Sequence, residues 1–244
     1  MQLIMFDLDG TLADNMQADE ECFVGALLDV FGFENVSTDW SAYRHATDSG
    51  VLLELFEQRL NRGPQPDEIE QFQSRFVTLL NEAFENSTRF APIPGTELLL
   101  KELANRKHFG TALATGGWKI SAQWKLQKAG LDFPFGASAY ADDDCSREGI
   151  MSVALERALE QYGQTQFDAI VYVGDAVWDI RASKNLRYHF IGIGHGTKAA
   201  RLRSAGAVTV FSDYTNADFF INVLESLAVS GPESARSVSM IRNL

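Results

Sequence analysis

The sequence predicts an α/β fold: a doubly wound parallel sheet interrupted by an inserted helical block. Three observations carry that prediction. Short, continuous apolar runs recur along the chain, and most are separated by helical patterns. One long stretch, residues 15–88, has helical periodicity and no strand-like run. The 244 residues are 45% apolar and 22% charged, which supplies a sizeable core and is ordinary for a globular protein.

The first strand is Leu3 to Phe6, an apolar run ended by Asp7-Leu8-Asp9-Gly10-Thr11. A run without alternation fits a central parallel strand covered on both faces. The helical block follows. Phe23, Leu27 and Val30 or Phe31 mark one amphipathic helix, and Val51 to Leu60 a second. Ile69, Phe72, Phe76, Leu79, Leu80 and Ala83 mark a third. Pro66, then Asp67 with Glu70 three residues later, predicts a capping box at its start. The block is too long for one crossover. It reads as a small inserted domain, residues 15–88, with the remainder, 1–14 and 89–244, forming the core. Its exits fall near Asp14–Asn15 and in the turn-rich Asn86–Pro94 stretch.

Further strands are expected at Gly110 to Thr115, Ala169 to Gly174, Phe190 to Ile193 and Val208 to Phe211. Helices are expected at Thr96 to Lys107, with Thr96 as N-cap, and at Lys119 to Ala129, stopped by Gly130. Two more are expected at Ile150 to Tyr162 and at Thr197 to Ala205, the latter followed by Gly206. Alternating strands and helices argue a doubly wound sheet. The Ser-rich tail from Ser230 on reads as flexible.

The net charge is −12, which disfavours nucleic acid and anionic membranes as general partners. Two cysteines, Cys22 and Cys145, cannot build a disulfide framework, so a reducing compartment is the simpler reading. No run approaches the roughly 20 apolar residues of a membrane span, and the short N-terminal run has no basic flank. A cytoplasmic location is expected.

Ligands of a parallel α/β sheet bind beyond the carboxyl ends of its strands. Three runs end there in useful chemistry: Asp7 and Asp9, then Thr115-Gly116-Gly117, then Asp175 and Asp179. Four crowded carboxylates need a cation or bound protons. An oxygen-rich cluster without histidine suits a hard ion, and Mg²⁺ is the usual one with phosphate substrates. Taken singly, these residues have ordinary readings. Thr115 could cap a helix, and Asp175 and Asp179 could be a loop and a cap. Gly192 to Gly196 reads as a plain turn with His195 in the loop, and Trp178 as a packing residue. Lys198, Arg201 and Arg203 read as a solvated helix face.

Taken together, they resemble the haloacid dehalogenase superfamily, and in particular its phosphatase-like members with a helical cap inserted after the first motif. The resemblance rests on Asp7-Leu8-Asp9-Gly10-Thr11, on Thr115, and on Gly174-Asp175 with Asp179. It implies a Rossmann-like core and a cap. In that family Asp7 would attack phosphorus and Asp9 would act as general acid, then base. Mg²⁺ would be held by Asp7, Asp175 and the Asp9 carbonyl, with Asp179 ordering that shell. Thr115, Gly116 and Gly10 would contact the substrate phosphate. The family's usual lysine is missing from the third motif, Asp142 to Glu148. Arg147 is the candidate cation there, with Lys119 and Lys125 as alternatives. Arg44 and His45, ahead of the second helix, are candidate substrate-reading residues of the cap.

The resemblance implies a Mg²⁺-dependent phosphatase of a small phosphorylated metabolite. An acid at Asp9 favours phosphate esters over carbon–halogen or carbon–phosphorus bonds. A sugar-phosphate phosphomutase, a phospho-accepting signalling module and a non-catalytic binder are the alternatives. The oligomeric state is open on the sequence, and a monomer is compatible with it.

Overall fold

The computed structural model describes residues 1–86 and 90–229. The expected flexible tail and the boundary at residues 88–89 lie outside the described residues. Strand β1 (Gln2–Phe6) is buried over its whole length. A turn leads to β2 (Ala13–Asp14) and then to helices α1 (Met16–Phe31), α2 (Asp48–Leu60) and α3 (Pro66–Asn86). The chain returns through β3 (Ala91–Pro92), which pairs antiparallel with β2, Asp14 opposite Ala91. Then come α4 (Thr96–Ala104), β4 (Phe109–Ala114), α5 (Lys119–Lys128), β5 (Ser138–Ala139) and α6 (Arg147–Gln161). The last third holds β6 (Ala169–Gly174), α7 (Val177–Leu186), β7 (His189–Ile193), α8 (Gly196–Ser204), β8 (Thr209–Phe211) and α9 (Ala217–Val229).

The main sheet has the order β5-β4-β1-β6-β7-β8, and every pairing in it is parallel. From β1 the chain winds outward through β4 to β5, then crosses back to β6. The reversal places the switch point beside β1, so Asp7 emerges where ligands of such sheets bind. Alternation along β1 divides the core in two. Ile4 and Phe6 pack with Leu99, Leu126 and Phe220, on the side of α4, α5 and α9. Leu3 and Met5 pack with Ile150, Ala154 and Ala182, on the side of α6 and α7. Full burial of each such large side chain stabilises by about 1.5–3 kcal/mol.

A third apolar cluster joins α1, α2 and α3. Phe23 is its centre, with ring centroids 5.1 Å from Phe72 and 5.7 Å from Phe76. Trp118, from the loop after β4, is 1% exposed and stacks on Phe23 at 6.2 Å. This tryptophan ties the helical layer to the sheet.

Local chemistry explains the helix ends, with three corrections to the sequence reading. Gly95 is the N-cap of α4, and Thr96 is its first helical residue, its hydroxyl donating to the carbonyl of Ile93. In α3, Pro66 takes the first helical position, where its missing N–H costs nothing. The carboxylate that folds back is Glu68, accepting from the Gln65 amide at 2.7 Å, so the expected Asp67–Glu70 box is displaced. Helix α6 starts earlier than expected, because the Ser146 hydroxyl caps it by accepting from the Gly149 amide. Helices α7 and α9 and the two-residue strands are additions to the elements that the sequence predicts. Among the described residues, no helix is long and apolar enough to cross a membrane.

Candidate active site

Strands β1, β4 and β6 end side by side, so Asp7, Thr115 and Asp175 meet at one edge of the sheet. Asp7 is 4% exposed, and its amide donates to the Val173 carbonyl of β6, which fixes its backbone. Gly10 has φ +72° and packs directly over Asp175. A Cβ there would stand 2.2 Å from Asp175 Oδ2, so only glycine fits. The Asp179 side chain is fully buried and caps α7, its Oδ2 accepting from the amides of Asp175 and Ala176. Its Oδ1 has no hydrogen-bond donor.

Carboxylate oxygens of Asp7, Asp175 and Asp179 lie within 4.8 Å of one another, and all three residues are buried. The trio could hold a metal ion. Burial pushes the Asp7 carboxyl well above its ordinary range, Arg147 opposes this, and Asp179 and Asp175 add to it. Burial lifts Asp175 to about 6 against the pull of Lys198, and lifts Asp179 against that of Arg147.

Two cations enter this cluster. The Arg147 side chain is 9% exposed; its Nη1 donates to Asp7 Oδ1 at 3.1 Å, and its Nε lies 3.4 Å from Asp179 Oδ1. The start of α6 therefore delivers the guanidinium to the carboxylate at the end of β1. The second cation, Lys198 Nζ, forms an ion pair with Asp175 and donates to the Gly10 carbonyl at 3.4 Å. Lys198 thus does not belong to a solvated helix face, because the turn from β7 into α8 carries it back to the sheet edge.

A cavity of about 90 Å³ lies above the trio. Asp7, Asp9, Thr115, Gly116, Arg147 and Asp175 line its floor. Phe23, Trp40, Asp19, Thr47 and Asp48 form the side contributed by the helical layer, and Trp178 also lines it. The Thr115 hydroxyl accepts from the Gly117 amide at 3.3 Å. Gly116 is crowded: a Cβ would meet Arg147 Nη2 at 3.0 Å and the Ala46 carbonyl at 3.1 Å.

Asp9 is gripped on both oxygens. Oδ1 accepts from Asn15 Nδ2 at 2.7 Å and Oδ2 from Lys125 Nζ at 2.9 Å. The Lys125 ammonium also lies 2.5 Å from Asp19 Oδ1. Burial alone would depress Lys125, but Asp19, Asp9 and Asp48 outweigh it and hold the ammonium above its ordinary range. Asp19 is lifted to about 6 by burial, with Lys125 opposing. Burial, reinforced by Asp19, lifts Asp48 to about 8. Its Oδ2 accepts from the Trp118 amide at 2.9 Å.

The start of α2 is fastened to the loops of the sheet. The Thr47 hydroxyl donates to the Cys145 carbonyl at 2.6 Å, and Ser49 donates to that of Ala141 at 2.6 Å. The Asp48 amide donates to the Gly116 carbonyl at 2.7 Å.

The structure therefore brings together Asp7, Asp9, Thr115, Gly116, Arg147, Asp175 and Asp179, with Gly10 beneath Asp175. Arg44 and His45 do not line the cavity. Arg44 is exposed, with Nη2 3.4 Å from Glu57, and the neighbours Ala46, Thr47 and Asp48 face the cavity instead. Lys119 is exposed too; its amide bonds Asp142. Asp19 and Lys198 are additions to the site, whereas Asp48 comes from the same polar segment as Arg44 and His45, ahead of the apolar face of α2. Asp19 sits among polar residues near the start of α1, and no local pattern marks it as a cavity residue.

A family model of haloacid dehalogenase-like hydrolases matches residues 1–187. Several solved structures share the fold. A hydrolase from Pseudomonas syringae superposes with a TM-score of 0.68 at 20% identity, covering 93% of this chain and 99% of its own. A Bacteroides vulgatus protein named for a suggested beta-phosphoglucomutase activity gives 0.68 at 17%, covering 94% and 91%. A predicted phosphoglycolate phosphatase from Haemophilus somnus gives 0.59 at 19%, covering 90% and 97%. No curated protein matches the sequence.

Proposed function

The chain belongs to the haloacid dehalogenase-like hydrolases, an enzyme family, and on that premise we propose that it hydrolyses a small-molecule phosphate monoester through an aspartyl-phosphate on Asp7. One observation supports this most: Asp7 and Asp9 share one cavity floor with Thr115, Gly116 and Arg147. An Asp7 oxygen attacks phosphorus while the bond to the leaving oxygen breaks. The electron pair stays on that oxygen, which takes a proton from the Asp9 carboxyl. Asp9, now a carboxylate, removes a proton from water as the water oxygen attacks phosphorus. The Asp7–phosphorus bond breaks and both aspartates are restored. The Thr115 hydroxyl and the Gly116 amide hold phosphoryl oxygens, and Arg147 offsets their charge.

Asp7, Asp175 and Asp179 fit a Mg²⁺ ion. They offer oxygen donors only, within 4.8 Å of one another. We assign direct contact to Asp7, Asp175 and the Asp9 carbonyl, with Asp179 orienting the others. When bound, the ion would neutralise phosphate charge.

The test is phosphate release from sugar phosphates, phosphoglycolate, nucleotides and pyrophosphate, with Mg²⁺ or with chelator. Asp7→Asn should lose turnover by several orders of magnitude and keep its fold. Near-normal release by folded Asp7→Asn would sink the mechanism. A phosphomutase would use the same residues. Conversion of a sugar phosphate, primed by its bisphosphate and without net phosphate release, would favour that reading.

A further inference from the structure

Lys125 has no role in the reaction just described, yet it is 1% exposed and stands against the proposed acid. Removing an ammonium from water costs several kcal/mol, and apolar packing of similar volume is often as stable. Its surroundings show what the charge does. Nζ contacts Asp9 of the loop after β1 and Asp19 of α1, while the lysine itself belongs to α5. The Phe76 ring of α3 lies 5.7 Å from the ammonium. With Asn15 on the other oxygen, the Asp9 carboxyl is held in one orientation on the cavity wall.

We propose that Lys125 is a positioning residue: its ammonium, anchored on Asp19, fixes the Asp9 carboxyl where it can reach the leaving oxygen. This rests on the reading of Asp9 as the acid–base group. Proton transfer demands an approach of about 2.6–3.2 Å, and a misplacement of about 1 Å can cost ~100-fold in rate. The anchor also has a conformational meaning. Asp19 belongs to the helical layer, so the grip on Asp9 is complete only when α1 is seated against α5.

The experiment measures single-turnover release of the leaving group in Mg²⁺ buffer, for the wild type, Asp9→Asn, Lys125→Met, Lys125→Arg and Asp19→Asn. Two substrates are compared. Para-nitrophenyl phosphate has a leaving group that needs little protonation; glycerol phosphate has one that needs it fully. Lys125→Met should lose about 100-fold or more on glycerol phosphate, and less than about 10-fold on the aryl ester, following the pattern of Asp9→Asn. Lys125→Arg should recover part of the loss, and Asp19→Asn should show a milder form of the same selectivity. Lys125→Arg and Asp19→Asn decide the matter if Lys125→Met does not fold. Equal losses on both substrates, or none, would overturn the role of Lys125 while the hydrolase reading stands on Asp9→Asn. A wild type that releases phosphate from neither ester nor any member of the panel above overturns the hydrolase reading, and this inference with it.

Discussion

Arg147 and Lys125 are buried cations on neighbouring aspartates, and they serve different ends. Arg147 bridges Asp7 and Asp179 through two nitrogens, Nη1 and Nε, of one planar group. Arg147→Ala should lower turnover by about 100-fold or more, as for loss of one preorganised electrostatic group. Arg147→Lys should restore only part, because an ammonium keeps the charge and loses the fork; steady-state kinetics of the two variants checks both points. The start of α6 revealed this residue in sequence, since it is the one base between Tyr140 and Glu148. Lys125 was harder to place, because its partner Asp9 lies 116 residues away. Nothing in the spacing of α5 separates a buried lysine from a solvated one. Asp48 offers a titration. Its acid is lifted to about 8, so the folded state favours the protonated form. The stability this gives is complete below the ordinary carboxylate range and is lost as the pH rises through about 8. Asp19 and Asp175 act with the same sign, but only to about 6. In chelator, thermal melting of Asp48→Asn should therefore fall less than wild type between pH values of about 6 and 8. Parallel curves would show that Asp48 does not titrate in that window.

At the scale of elements, α2 is the piece whose attachment is most exposed to a single change. Thr47 caps it by accepting from the Gly50 amide, and the same hydroxyl donates to Cys145 of the opposite loop. Thr47→Val keeps the shape and removes both bonds. It should cost about 0.5–2 kcal/mol from the cap alone, seen as a lower midpoint in urea, and raise KM by loosening the cavity wall. Phe23→Ala, at the centre of the aromatic cluster, should cost about 3–5 kcal/mol. The strands were the most legible elements. Apolar runs predicted β1, β4, β6, β7 and β8 within a residue of their observed ends. The remaining strands β2, β3 and β5 have two residues each and carry no period to read. Helix α7 was obscured for a different reason: its buried stripe is narrow, only Asp179, Ala182 and Ser183 being fully enclosed.

For the whole molecule, the chief tension is electrostatic. The chain carries a charge of −12 and gathers Asp7, Asp175 and Asp179 into one buried trio. An ion that binds this trio in the folded state, and not in the unfolded chain, must raise the melting temperature. At 100-fold excess over its dissociation constant the gain is ~2.7 kcal/mol. Melting curves with Mg²⁺ and with chelator check this, and Asp175→Asn should flatten the difference. The order of the site along the chain was readable, because strand ends fall where parallel sheets bind ligands. Its depth was not, because the side supplied by α1 and α2 comes from contacts between distant segments. The small β2–β3 ribbon governs how those segments join the rest. Asp14 and Ala91 stand in register on adjacent strands, so the chain ends its helical excursion about 5 Å from where it began. A gap of that width is closed by a two-residue turn. We propose that the ribbon is a socket: a different segment joined at this point should leave the strands of the main sheet in place. What such an exchange must still match is the flat face of Trp118, left bare whenever the socket is emptied.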